Sequence, residues 1–526
     1  MKKNLIYLLS SGIMILVISF LFCTSYGSKP EIGEFISEER TPNIDPDYVN
    51  VVLPPNIAPM NFMIKEKGQN YYVKIDAENG QPIEINAKNG KIQIPMSRWK
   101  KLLSENVGKK LNIEIYAQNA VDTWIKYKTI ENQIAVEPID SYLAYRLLHP
   151  AFNLWTEMGI YQRNLETFDE QPILINRVTE GNCMNCHNFC KNDPNKMIFH
   201  MRAGKGSGMF LNNKGKLNKV NTSTAFNKAG AYPSWHPSGK AIAMSVNKLS
   251  MFFHATGEAR DVLDHNSNLF LYMIETNTVT TGPAISRPDR METFPCWSAD
   301  GKYLYFCSAP LLATYIEEES GDTDLKYDEI SYDLMRVSYD LETDTWGELE
   351  TVLTSDEVGG SITIPRTSPD GRYILFTKAA YGNFPIYLKS ADLGILDLET
   401  GEHSILDINS ERQETFHSWS GNSRWFVFSS KRRDGFTSRP YFSYMDSDGK
   451  AHKPFVMPQE DPEFYGSFYQ TYNVPEMIAG PVTIRPQEIA EAALGDAAFL
   501  QAKLDPRIQP EQEDTGEETL YKQASQ

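Results

Sequence analysis

Trp297-Ser298-Ala299-Asp300-Gly301-Lys302-Tyr303-Leu304-Tyr305-Phe306 is the stretch on which the fold turns. It reads as an apolar anchor, a tight turn with glycine four residues on, and a strand of alternating large residues. The pattern recurs as Trp235-His236-Pro237-Ser238-Gly239 ahead of Ile242 and Met244, and as Thr367-Ser368-Pro369-Asp370-Gly371 ahead of Ile374 and Phe376. A fourth copy is Trp419-Ser420-Gly421-Asn422-Ser423 ahead of Phe426 and Phe428. Each is followed by a second hairpin, turning at Glu275-Thr276-Asn277, Glu342-Thr343-Asp344, Glu399-Thr400-Gly401 and Ser447-Asp448-Gly449. A repeated unit of about four antiparallel strands has the make-up of a β-propeller blade. A fifth, degenerate unit is expected at 197–220, where Met209-Phe210-Leu211 and Lys216-Leu217 flank the turn Asn213-Lys214-Gly215. Five or six blades are expected, because closure removes the sheet edges that a four-unit fragment would expose. Burial of Trp235, Trp297 and Trp419 is expected to contribute ~2–3 kcal/mol each.

Outward from the repeats, the propeller is expected over 197–480, followed by a polar segment, 481–526, whose acidic end from 509 is expected to be disordered. Short strand-like runs at 51–53, 61–64, 71–75, 83–85, 92–94 and 111–116, punctuated by Asn79-Gly80 and Asn89-Gly90, predict a small β-sandwich over 46–139. A helical turn is expected at 97–103. Residues 28–45 read as a polar tether. Residues 140–196 read as a helical linker: Asp140 can cap a helix over 142–148 that Pro150 stops, and 153–161 reads as a second short helical piece. The chain as a whole is therefore mainly β.

The first 27 residues read as an address. Lys2 and Lys3 precede an apolar run over 5–22, long for a signal core and short for a comfortable membrane span. Three outcomes are open: lipidation at Cys23, cleavage at Ser25-Tyr26-Gly27, or an uncleaved anchor. All three place the rest of the chain outside the cytoplasm, periplasmic or held at the membrane. The net charge of −17 and pI near 5.1 argue against nucleic acid, whose binding needs a concentrated basic surface.

The Trp-Ser-x-Asp-Gly-Lys-x-Leu-x-Phe unit at 297–306 and its variants at 235, 367 and 419 resemble the propeller of TolB and related exported proteins, over roughly 195–457. The order of β-domain, Cys-x-x-Cys-His and propeller is similar to a group of exported TolB-like proteins labelled as cytochrome c-related. That resemblance implies a haem attachment and no assigned reaction. Propellers of this repeat type also precede the catalytic domain of prolyl oligopeptidase-like enzymes. Here no Gly-x-Ser-x-Gly elbow occurs and too little chain follows the last unit, so a serine hydrolase is not supported.

Cys183-Met184-Asn185-Cys186-His187 is the one sharp chemical motif. Covalent haem c needs two thiols spaced to reach both vinyl groups and a following imidazole to coordinate iron, so Cys183, Cys186 and His187 are the expected cofactor residues. Candidates for the opposite iron face are His200 and Met201 first, with Met197 and Met209 nearby and Met251, His254 and His265 in the 249–268 insertion more distant. If 197–202 is a strand, alternation puts Met197, Phe199 and Met201 on one face and His200 on the other. Zinc on Cys183, Cys186 and Cys190 with a ligand from elsewhere, or a disulfide from Cys183 to Cys186 or Cys190, are the alternatives. Lys431-Arg432-Arg433 reads as a solvated turn, the acids at 317–324 as an exposed loop, and Cys296 and Cys307 as unbridged.

Two functions compete on these readings. One is an electron-transfer or redox-sensing propeller carrying haem c that docks envelope proteins. The other is a non-enzymatic envelope scaffold of the TolB type whose Cys-x-x-Cys-His segment is a structural zinc or disulfide site. A haem enzyme would need an open iron site and a distal acid–base group.

Overall fold

The alternating repeats form β-structure throughout a computed structural model that describes residues 32–149, 157–253, 260–311, 327–495 and 499–508. The chain divides into two compact units: residues up to 50 with 59–134 and 460–463, and 51–58 with 135–459 and the chain from 464. The leader with Cys23, His254, the acids at 317–324 and the tail from 509 lie outside the described residues.

In the smaller unit, Asn70–Ala77 lies between Ile83–Ala87 and Lys110–Gln118, all antiparallel. Ile44–Asp45, Phe62–Ile64 and Lys91–Ile92 make a second, three-stranded sheet. Gly80 (φ 88°) turns the hairpin of Asn70–Ala77 and Ile83–Ala87 that Asn79-Gly80 predicts, whereas Gly90 (φ 75°) is no hairpin turn, since Ile83–Ala87 and Lys91–Ile92 lie in different sheets. Helix Met96–Glu105 buries Trp99, Leu102 and Leu103 at the expected helical turn. The tether expectation is corrected. Phe35–Glu38 forms a strand parallel to Trp124–Tyr127, pairing backbone groups that polar composition alone does not reveal.

The larger unit is a β-propeller. Its six sheets, each built on four antiparallel strands, are the blades. Blades 2 to 6 begin with inner strands Cys183–Phe189, Ala231–Trp235, Arg290–Trp297, Ser361–Thr367 and Glu414–Trp419. Blade 1 is Tyr142–Leu148, Met158–Asn164 and Glu170–Ile175, and its inner strand, Thr471–Ile478, comes from the far end of the unit. Each inner strand packs on the next, and Thr471–Ile478 touches both Glu414–Trp419 and Cys183–Phe189, so the ring closes. The apolar cores lie between blades: Ala144, Ile160 and Ile478 of blade 1 meet Met184, Phe199 and Phe210 of blade 2, and Ile198 and Leu211 meet Trp235 and Ile242 of blade 3.

Three boundary expectations change here. The helical linker is corrected among the described residues: Tyr142–Leu148 and Met158–Asn164 are strands, and 153–156 of the second expected helical piece lie outside the described residues. Leu143, Ala144, Tyr145 and Leu147 are all buried, so this strand shows no two-residue alternation and imitates a helix. The propeller therefore starts near 142 rather than 197. The degenerate unit at 197–220 is real but begins at Cys183, its inner strand. Beyond 481 the described residues belong to the propeller unit, with helix Pro486–Leu494 and with Leu500–Gln501 and Lys503–Leu504 adding parallel fifth strands to blades 2 and 3.

Candidate functional site

Every inner strand breaks its pairing at the same place. The register shifts after Asn185, Ala231, Thr293, Thr363 and Thr415, and before Glu476 at Asn473. At each break one non-glycine residue is left-handed: Cys186, Tyr232, Phe294, Ile364, Phe416 and Val474, with φ from 46° to 53°. Such a bulge costs ~1–3 kcal/mol per residue and persists only where surrounding structure over-determines it. Proline follows in four blades (Pro233, Pro295, Pro365, Pro475), where a missing N–H suits a broken ladder. His187 and His417 take that place in blades 2 and 6. Asn185-Cys186-His187-Asn188-Phe189 is thus the blade-2 counterpart of Thr293-Phe294-Pro295-Cys296-Trp297. Half of the Cys-x-x-Cys-His motif is the propeller repeat itself.

Around the ring, Phe294 and Ile364 belong to one apolar cluster with Tyr232 and Phe416 against it, and the Tyr232 and Phe294 rings are 4.4 Å apart. Cys186 and Val474 stand at the equivalent places on blades 2 and 1, beside a polar group. Arg146, from the second strand of blade 1, donates to the carbonyl of Met184 (3.0 Å), to Asn185 Oδ1 (2.5 Å) and to Asn473 Oδ1 (2.7 Å). Its Nε has no partner, nor has Asn473 Nδ2. Burial pulls the Arg146 pKa down, against the Cys183 and Cys186 thiols and with the nearby Arg202. Burial also pushes the Cys186 thiol up, against the opposing pull of Arg202 and Arg146.

His187 is 2% exposed and neither ring nitrogen makes a direct hydrogen bond, although the Val474 backbone lies near enough to favour the protonated ring. Burial, with Arg146 and Arg366 adding like charge, pushes its pKa down to about 3. His200, opposite Asn185 in the ladder, is also buried with both nitrogens unpartnered, and burial pushes it to about 3. Asn188 Nδ2 and the Phe189 N–H both donate to Glu476 Oε1 at 3.0 Å, and burial raises that carboxyl to about 7.

Strand Lys196–Arg202 obeys the expected alternation: Met197, Phe199 and Met201 enter the blade 1–2 core and His200 does not. Of the residues a haem needs, His187 fits, as a buried imidazole with nothing to bond. Cys183 is 2% exposed and packed in the core with Met184, Met201 and Met158, so a porphyrin bonded there would require this core to open. Cys190 belongs to a different core, with Trp235 and Ile198, and its thiol faces the His236 carbonyl at 3.8 Å. The three thiols of the zinc alternative are therefore not brought together. Among the described residues no three His, Cys, Asp or Glu are arranged to hold a metal, and Cys183, Cys186, Cys190, Cys296 and Cys307 are free thiols.

Sequence reading missed Arg146, Asn473, Glu476, Arg366 and His417. Comparing the three residues upstream of each tryptophan anchor would have found His417 and the Cys186–His187 equivalence. No local signal marks Arg146 or Asn473, which are brought together only by ring closure.

No known protein family and no curated protein matches the chain. Similar solved structures include a nidogen/laminin complex (7% identity, 65% of this chain and 99% of that one, TM-score 0.37). Another is a chimera of apocarotenoid oxygenase and RPE65 (10% identity, 83% and 97%, TM-score 0.36). A third is oligogalacturonate lyase from Vibrio parahaemolyticus (11% identity, 56% and 85%, TM-score 0.32). At that distance the likenesses carry nothing about chemistry, and the blades and their closure define the chain as a β-propeller.

Proposed function

We propose that this chain acts outside the cytoplasm as a non-enzymatic binding propeller whose axial site on blades 1 and 2 holds an anionic ligand. The carrying observation is Arg146, a buried guanidinium bonded only to neutral oxygens of Met184, Asn185 and Asn473, with its own Nε, Asn473 Nδ2 and the nearby His187 imidazole left without direct hydrogen bonds. Burying an uncompensated charge costs several kcal/mol, and an anion would offset it by supplying both charge and acceptors. Lys2 and Lys3 before the apolar run support export. In this reading Cys183-x-x-Cys186-His187 serves first as an inner strand, and partner proteins dock on the propeller surface.

Covalent haem c, with electron transfer or redox sensing, is the second reading. The unpartnered His187 imidazole favours it, and the haem propionates are themselves anions suited to Arg146. When bound, the group would supply a one-electron iron centre. Intact mass and a pyridine-haemochrome spectrum, on protein exported from a host competent to attach haem c, separate the two. A one-haem mass increase lost in the Cys183→Ala, Cys186→Ala double variant would replace the binding reading with the cytochrome one. With no increase, the anion reading expects a saturable rise in thermal midpoint with citrate or inorganic phosphate that disappears in Arg146→Met. No rise with either anion would sink it.

A further inference from the structure

A second polar group lies among blades 3, 4 and 5 and owes nothing to the motif of blade 2. Asp264 sits on strand Arg260–Met273 of blade 3 and is 3% exposed. One carboxylate oxygen, Oδ2, accepts from Asn247 Nδ2 (2.7 Å) and from Asn383 Nδ2 (3.1 Å), the latter in the loop after the second strand of blade 5. Asn247 also donates to Thr293 Oγ1 of the blade 4 inner strand (3.1 Å), which ties the three blades together here. The other carboxylate oxygen, Asp264 Oδ1, has no partner. Neither has Asn383 Oδ1 nor Ser267 Oγ, each on a residue 1% exposed. The Ser267 and Tyr332 hydroxyls and the Asn266 N–H stand close enough to the carboxyl to favour its charged form, yet burial outweighs them and raises it to about 7.

This is a carboxylate with one oxygen outside any direct hydrogen bond, an amide oxygen in the same state on a neighbour it already bonds, and a hydroxyl beside it, all buried. Buried polar atoms are almost always satisfied, and unsatisfied oxygens beside a buried carboxyl ask for a positive occupant. These three candidate ligands are all oxygen, which suits a hard cation rather than zinc or iron. We infer that Asp264, Asn383 and Ser267 form a calcium site joining blades 3 and 5. Calcium accepts the mixed carboxylate, amide and hydroxyl set and completes its six to eight ligands with backbone oxygen or water. A single carboxylate places the affinity in the weak extracellular range, ~10⁻⁴–10⁻³ M. Bound there, the cation would fasten the blade 3 hairpin to the blade 5 loop.

The test uses the full chain, stripped with EDTA and dialysed, then titrated with calcium chloride by isothermal calorimetry with parallel thermal melts. One saturable site and a rise in thermal midpoint are expected. Asp264→Asn, which keeps the shape and removes the charge, should weaken binding at least tenfold while circular dichroism stays unchanged. Ser267→Ala should weaken it less. Absence of saturable binding, or an Asp264→Asn variant that binds calcium like the parent, overturns the site. So does an Asp264→Asn variant stabilised to the same degree with and without calcium in a parent that ignores the ion, since a proton alone would then occupy Asp264. None of these outcomes depends on the ligand of blade 2.

Discussion

Two buried titratable groups away from the motif set opposite limbs of the pH–stability curve. Glu292 is fully buried, and burial raises its carboxyl from 4.5 to about 8. Between those values the folded chain holds a proton that the unfolded chain has released. The contribution of Glu292 is complete below about pH 4.5 and is lost as pH rises to about 8. His417 is the reverse: burial, with help from Arg366, takes it from 6.5 to about 3. The unfolded chain then takes up a proton that the folded chain refuses, so stability is complete above pH 6.5 and is lost as pH falls towards 3. Thermal midpoints measured from pH 4 to 9 should therefore pass through a maximum. Glu292→Gln should flatten the alkaline limb and gain a few kcal/mol at pH 9, at ~1.4 kcal/mol per pH unit of displacement. An alkaline limb unchanged by this substitution would mean that Glu292 ionises in place at its ordinary value.

The turn after each anchor is the part of the repeat most plainly written in the chain. Gly239, Gly301 and Gly371 have φ of 73°, 78° and 80°, and Ser423 adopts 62° in the fourth copy. Gly301 is the tightest of these, because a Cβ there would lie 2.5 Å from His236 Nε2, which also meets the Gly301 carbonyl at 3.0 Å. Gly301→Ala thus combines a left-handed penalty with a displaced histidine, and should lower the unfolding free energy by ~2 kcal/mol in urea titration. A loss below ~0.5 kcal/mol would mean that the turn relaxes into another type. The anchors stitch blades as well as fill them: Trp235 Nε1 donates to the Asn188 carbonyl (3.4 Å) and Trp419 Nε1 to the Arg366 carbonyl (3.0 Å). The inner-strand bulge was less visible. Its aromatic-Pro signal is clear at Tyr232-Pro233 and Phe294-Pro295, but in blade 2 it is written Cys186-His187 and invites a cofactor reading instead.

Closure of the ring depends on eight residues distant in sequence from the blade they complete. Thr471–Ile478 pairs antiparallel with Tyr142–Leu148, from Tyr142 opposite Ile478 to Leu148 opposite Thr471. Without it, blade 1 would present an open edge and the blade 1–2 core would lose Ile478. Ending the chain at residue 470 should therefore give self-associating protein by size exclusion with light scattering, together with loss of cooperative unfolding. A monomeric variant that unfolds cooperatively would show that the ring stands without its closing strand. The same closure brings Asn473 to Arg146 and Glu476 to Asn188, so the truncated chain should also lose any response to citrate or phosphate.

The repeat at 235, 297, 367 and 419, with its turn glycines and alternating strands, was enough to make this chain a propeller, because turn chemistry and two-residue periodicity are local. Blade 1 was not readable: Tyr142–Leu148 is buried on both faces and shows no alternation, and its partner strand lies more than three hundred positions away. The Cys-x-x-Cys-His pattern was readable as residue types but not as an arrangement. Which thiol enters a core, which faces the axis, and which imidazole is left without a partner depend on one bulge and on the neighbouring blades. The polar groups at Arg146 and Asp264 belong to the same class, since each is assembled from side chains on different blades.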